Sequence, residues 1–217
     1  MARKGERGRA SSNGARERIL VAALEVFAER GFDGAHTREI AERAGANLSL
    51  IKNHFQDKER LWKAALGHAF AMLQRDLAGQ PGKRVAARDW LDHNVRQFVR
   101  FIARHPEFMR IMNDESKRNS RRMQWLADHY VRPVAELLDA QLQWALDQGL
   151  VPPINPVSLR YIALGAAGLI FSQAPECTYL TGVNPIDPEF VEQHANAVLQ
   201  FLTGSGKRTG AKVYLKK

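Results

Sequence analysis

Cysteine is almost missing from this chain. Cys177 is the only one in 217 residues, so no intramolecular disulfide can form and the composition fits a reducing compartment. No secretion signal is expected, because the first residues carry charge with no apolar stretch behind them. The most apolar segment, 161–172, is about half of the ~20 residues that a membrane-crossing helix needs, so no membrane association is expected. Seven histidines and 23 carboxylates include no pair at metal spacing on one helical face joined by a third ligand. There is no nucleophile motif and no glycine loop to cradle phosphate, which argues against a metal site, a cofactor and catalysis. Cys177 has the acidic neighbour Glu176, the wrong sign to stabilise a thiolate nucleophile. Net charge is short in the middle of the chain. Of the total of +9, residues 1–19 hold +4 (six basic, two acidic) and 207–217 hold +5, so 20–206 sums to zero.

What is present is concentrated in residues 37–61, TREIAERAGANLSLIKNHFQDKERL. Ile40, Ala41 and Ala44 recur at helical spacing on one face while Arg38, Glu39, Glu42 and Arg43 occupy the other, which predicts a short amphipathic helix. Gly45 ends it, since glycine takes positive φ without a Cβ penalty. Asn47 then caps a second helix over about 48–54, its side-chain oxygen accepting from free amides of the first turn. Ile51 and Phe55 turn inward at i and i+4 and leave Leu48, Ser49, Lys52 and Asn53 outward. An aliphatic group, a hydroxyl, a cation and an amide are the side chains that read base edges and phosphates in a major groove. Within 30–63 there are seven basic and five acidic residues, so the reading head is only mildly positive.

Residues 18–65 resemble the DNA-binding domain of the tetracycline-repressor (TetR) family of bacterial transcription regulators. The stretches that carry the resemblance are RILVAALEVFAERGFDG, TREIAERAG and IKNHFQDKERLW. It implies a dimeric repressor that holds a palindromic operator in double-stranded DNA and is released by a small-molecule effector. On that pattern Arg38, Leu48, Ser49, Lys52 and Asn53 reach bases or adjacent phosphates, while Asn47, His54 and Lys58 hold the backbone. The chain departs from the family at Leu48, Ser49, Leu50 and Lys52, with Lys52 standing where a tyrosine commonly touches phosphate. Its operator is therefore its own. The rival classes are a helical protein-binding adaptor and a helical enzyme without a recognisable motif.

The rest of the chain reads as helices, nine in all, with no sheet: an all-α fold. Helix one spans about 15–30, burying Ile19, Ala23, Val26 and Phe27 and ending at Gly31. A fourth begins after Asp57 and runs to Gly79 with Leu61, Ala65, His68 and Met72 on one side. After Gln80-Pro81-Gly82 come 85–105 with Leu91, Val95, Phe98 and Ile102 on a face, a short helix from Pro106, and a loop over 113–119. A long helix over 120–148 should be disturbed by Pro133. Asn155-Pro156 opens another to about 173, a loop with Pro175, Gly182 and Pro185 follows, and the last helix spans 188–202. The domains expected are a disordered basic arm over 1–14, a helix-turn-helix domain over 15–60, an effector-binding and dimerisation domain over 61–203 and a basic tail over 204–217.

The resemblance implies that the last two long helices pair across a two-fold axis, and the candidate contacts are Tyr161, Leu164, Gly165, Gly168, Phe171, Val191, His194, Val198 and Phe201. It also implies an effector cavity between the helices of 60–175. Candidates are polar and adaptable groups that interrupt or border apolar faces: His68, Phe98, His105, Met109, Trp125, Tyr130 and Gln141. Each has an alternative as an ordinary core residue. A cytoplasmic location follows from these expectations.

Overall fold

The computed structural model describes residues 3–77 and 86–204; of the side chains, those of 3–13 and of Ala87 are outside the description. The described residues form eleven α-helical segments and no strand. They are α1 (Arg3–Gly34), α2 (Thr37–Arg43), α3 (Leu48–Phe55), α4 (Lys58–Leu77), α5 (Ala87–Arg104), α6 (Pro106–Ser116), α7 (Arg121–Leu126), α8 (Arg132–Asp147), α9 (Pro156–Ser172), α10 (Ala174–Thr181) and α11 (Pro188–Thr203), with a π-helical stretch, Ala127–Val131, joining α7 to α8. The chain divides into two compact units, Met1–Met72 with Arg110–Arg118, and Leu73–Met109 with Asn119–Lys217.

In the first unit the apolar face of α1 supplies Ile19, Leu20, Ala23, Leu24, Val26 and Phe27, all buried, with Ile40, Ile51, Phe55, Leu61, Trp62 and Leu66. Each such side chain taken from water contributes about 1.5–3 kcal/mol. Gly31 breaks the helical run with φ 67° and ψ 173°, a conformation that only glycine adopts without strain. Phe32 can then turn back, stacked on Phe27 at 6.0 Å and edge-on to Trp62 at 6.1 Å.

The second unit is built on α5, α9 and α11, each packed on the other two, with α8 against α9. Val99, Phe101, Ile102, Leu159, Ala167, Phe171, Ala195, Val198 and Leu202 are buried there. Ion pairs join the helices outside this core. Arg100 Nε lies 2.6 Å from Glu192 Oε1, and Arg96 holds Asp92 at 2.7 Å and donates to Asn196 at 2.6 Å, which clamps α5 to α11. Arg160 and Asp139 tie α9 to α8 at 2.8 Å.

Several expectations are corrected. Helix α1 begins at Arg3, where a disordered arm was expected over 1–14; no proline precedes Pro81, and Arg, Glu and Ala favour helix enough to carry the glycines along. The loop expected over 113–119 shrinks, because α6 runs on to Ser116 with Glu115 buried. Residues 174–181, expected as loop, are α10: Pro175 lies in the first turn, where its fixed φ favours a helix, and Gly182 caps the end at φ 74°. The disturbance placed at Pro133 takes the form of the π stretch just ahead of it. Proline crowds the carbonyl four residues back, and the wider π turn makes room for the ring. On α5 the fully buried residues are Leu91, Val99, Phe101 and Ile102, while Val95 and Phe98 are only half-buried. The end of the fourth helix beyond Leu77 and the basic tail beyond Gly204 lie outside the described residues.

Candidate nucleic-acid interface

The turn between α2 and α3 is hydrogen-bonded throughout. The Ala46 N–H donates to the Ala41 carbonyl at 2.9 Å and the Gly45 N–H to that of Glu42 at 3.1 Å, with Gly45 at φ 59°. This paired closure satisfies the orphan carbonyls at the end of α2 and needs a residue tolerant of positive φ at that position. Arg18 Nε donates to the next carbonyl, Ala44, at 3.3 Å and ties the turn to α1. Asn47 caps α3 as expected, its Oδ1 accepting the Leu50 N–H at 2.8 Å. With Ile51 and Phe55 buried, Ser49, Lys52 and Asn53 stand exposed at the i, i+3, i+4 spacing of a single helix face, with Leu48 half-buried at its start. Arg38 is exposed on α2.

Charge around this face is sorted by the neighbouring ion pairs. Arg43 grips Glu29 with two bonds of 2.7 and 2.8 Å and reaches Glu39 and Glu25 at 3.4 and 3.7 Å. The bond from Arg43 holds the Glu29 carboxyl below its ordinary range, and Glu29 in turn raises the Arg43 guanidinium. Glu59 is paired with Lys63 and Asp57 with Arg60. None of the ion pairs among the described residues uses Arg38 or Lys52, whereas Glu25, Glu29, Glu39, Asp57 and Glu59 are each paired with another cation.

Two of the residues expected at the DNA backbone have other work. Lys58 Nζ donates to the carbonyls of Asp33 and Ala35, each at 3.2 Å, and lies 4.7 Å from the centre of the Phe32 ring. Its ammonium closes the end of α1 onto the start of α4. His54 is half-buried beside Phe55, with Nε2 buried and unpaired, so that edge of the ring faces inward. The sequence reading did not single out Gln56, which ends α3 at φ 67° and ψ −57° while the Asp57 N–H donates back to Phe55 at 2.8 Å. This is the rare, strained form of the γ-turn, and a glutamine gives no signal for it.

The family model described as "Bacterial regulatory proteins, tetR family" matches residues 19–65, and that described as "Tetracyclin repressor-like, C-terminal domain" matches residues 81–208. The chain belongs to the TetR family. Among relatives, the HTH-type transcriptional repressor NicS of Pseudomonas putida is 32% identical over 105 residues, 46% of this chain and 48% of that one. The HTH-type transcriptional activator FasR of Mycolicibacterium smegmatis is 43% identical over 51 residues, 24% of this chain and 23% of that one. The chain thus spans less than half the length of these curated relatives. A solved structure of AibR in complex with isovaleryl coenzyme A and operator DNA has the same fold, with a TM-score of 0.69 at 19% identity, covering 87% of this chain and 98% of that one.

The residues proposed as family contacts in the second unit fall into two sets. Tyr161, Gly165 and Phe201 are exposed and Leu164 is half-buried, whereas Gly168, Phe171, Val191 and Val198 are buried within the protomer. Met109 fills the space beside Gly168, its Cε 3.0 Å from where a Cβ would stand. His194 is an internal strut: its Nε2 donates to the Ala166 carbonyl at 2.9 Å between the rings of Phe171 and Phe190.

Of the seven residues proposed for an effector, His68 belongs to the first unit and the other six to the second. Trp125 and Tyr130 meet edge-on at 5.7 Å, and His105 caps the C-terminal end of α5, its Nδ1 3.1 Å from Glu107. Phe98 and Gln141 are half-buried. A cleft of about 180 Å³ opens instead between α5 and α11, bordered by Arg88, Leu91, Arg96, Asn196, Leu199 and Thr203, and none of the seven lines it.

Proposed function

We propose that this chain is a dimeric, sequence-specific transcriptional repressor that occupies a palindromic operator in the cytoplasm, has no catalytic activity and is released by a small-molecule effector. The observation that carries the reading is the face of α3: Ser49, Lys52 and Asn53 exposed in one row on a helix whose cap and inward residues hold it firmly. Arg38 and Leu48 flank that row and complete the base- and phosphate-reading set, while Asn47 fixes the helix that carries it. Lys58 and His54 support the reading head from behind. The repressor NicS among the relatives favours repression, and AibR, captured with both operator DNA and an acyl coenzyme A, favours a DNA-binding regulator that also takes a small molecule over an adaptor or an enzyme.

The test is a gel shift on DNA flanking the chain's own gene, run over a range of salt. Binding that is sequence-selective and falls steeply with salt supports the reading. Lys52→Ala should weaken it by about 1–3 kcal/mol at one base pair if Lys52 reads a base edge, or evenly across sequences, with a salt slope smaller by about 1, if it holds a phosphate. Unaltered affinity and slope in this variant would remove Lys52 from the interface.

A further inference from the structure

Helix α10 is ordered without being buried. None of its eight residues reaches the core; Tyr179 is 86% exposed and Leu180 60%, and Ile186 just beyond is 51% exposed. An isolated helix shorter than about 12–15 residues does not hold its shape in water, so α10 lacks the packing that helices of its length depend on. It leaves α9 through a 70° bend, and Glu176 is its only charged side chain. Helix α9 also leaves Tyr161 in water at 66% exposure, and α11 leaves Phe201 at 66%.

We propose that α10 is an arm that packs against a second copy of this chain, widening the pairing face of α9 and α11; the proposal rests on the dimeric reading above. Area is what selects the occupant. An aromatic side chain offers about 150–250 Å², so at these exposures Tyr161, Tyr179 and Phe201 together leave roughly 330–550 Å² of largely apolar surface in water. Leu180 and Ile186 add to this exposed apolar area. A stable association takes about 800 Å² from each partner. Tyr161 and Phe201 alone supply roughly 200–330 Å² of aromatic surface, and the arm brings the apolar total toward that requirement. A partner copy offers the same aromatic surface in return, as a two-fold contact demands, with the Arg160 guanidinium 5.2 Å over the Tyr161 ring and Glu176 as the charges near it.

The experiment is sedimentation of the full chain over a dilution series, comparing wild type with Tyr179→Phe and with the double variant Tyr179→Glu, Leu180→Glu. Both residues are exposed, so the core of the protomer is untouched and the circular dichroism of the double variant should keep the main helical signal. The dimer dissociation constant is expected to rise at least tenfold in the double variant and to stay unchanged in Tyr179→Phe. A folded double variant that dimerises as wild type does overturns the arm and leaves the dimeric reading standing. A wild type that stays monomeric at every concentration overturns both. If the double variant loses only the ability to pellet with phospholipid vesicles, the arm's partner is a membrane surface and the proposal fails.

Discussion

Gln56 holds a backbone conformation that costs a non-glycine residue about 1–3 kcal/mol. The chain keeps it because the turn is so short: two residues after α3 ends, Asp57 already caps α4 by accepting the Arg60 N–H at 2.8 Å. Glycine at this position would relieve the strain, at an entropic cost of about 0.5–1 kcal/mol in the unfolded chain. Gln56→Gly should therefore raise the free energy of unfolding by about 1 kcal/mol, read from the urea midpoint at unchanged slope. A fall in stability would mean that the glutamine side chain contributes something the turn geometry does not reveal. Lys58 makes the same point about roles. From its place at the start of α4 it reads as a phosphate contact, yet its ammonium is occupied by two carbonyls and a ring.

At the scale of elements, α9 and α11 are joined by His194. Desolvation by its surroundings is the main cause that pushes this imidazole below its ordinary value of 6.5, opposed in part by the Ala166 carbonyl that accepts its N–H. The unfolded chain therefore takes up the proton first as pH falls. The stability contributed by a neutral His194 is complete above about pH 6.5 and is lost progressively as pH drops from there through the folded-state value. Replacing it by glutamine should flatten that part of the profile, so the gap in melting temperature between wild type and His194→Gln narrows on going from about pH 7.5 to about pH 5.5. A gap that widens on acidification would show that the charged form is the one the fold prefers. The extent of α6 and the existence of α10 belong to this scale too. Both were misjudged where a local signal, a polar run over 113–116 or a proline at 175, has two structural meanings that only the surroundings separate.

For the whole molecule, the proposed two-fold pairing makes DNA binding a property of the assembly. Deleting one half-site from the operator should remove about half of the phosphate contacts, and so halve the slope of log affinity against log salt. A slope that survives the deletion intact would mean that one protomer binds alone. The affinity lost in that comparison measures how much the pair of reading helices gains from being linked. Net charge is +9 overall yet zero through 20–206, so the reading head is distinguished by Arg38 on α2 and Lys52 on α3 and not by bulk charge.

The all-helical class, the helix-turn-helix and its caps were legible in the sequence because they rest on local rules. Asn47 and Asp57 cap whatever helix follows them, Gly45 and Gly31 turn wherever the chain needs positive φ, and the 3.6-residue period of Ile51 and Phe55 determines by itself which side of α3 faces outward. Tertiary structure alone decided the rest. Periodicity says that Gly168, Phe171, Val191 and Val198 face something apolar, but whether that is the protomer's own α5 and α6 or a second chain depends on residues distant in sequence, such as Met109. Burial is a property of neighbours, and a sequence lists no neighbours beyond its own adjacent turns.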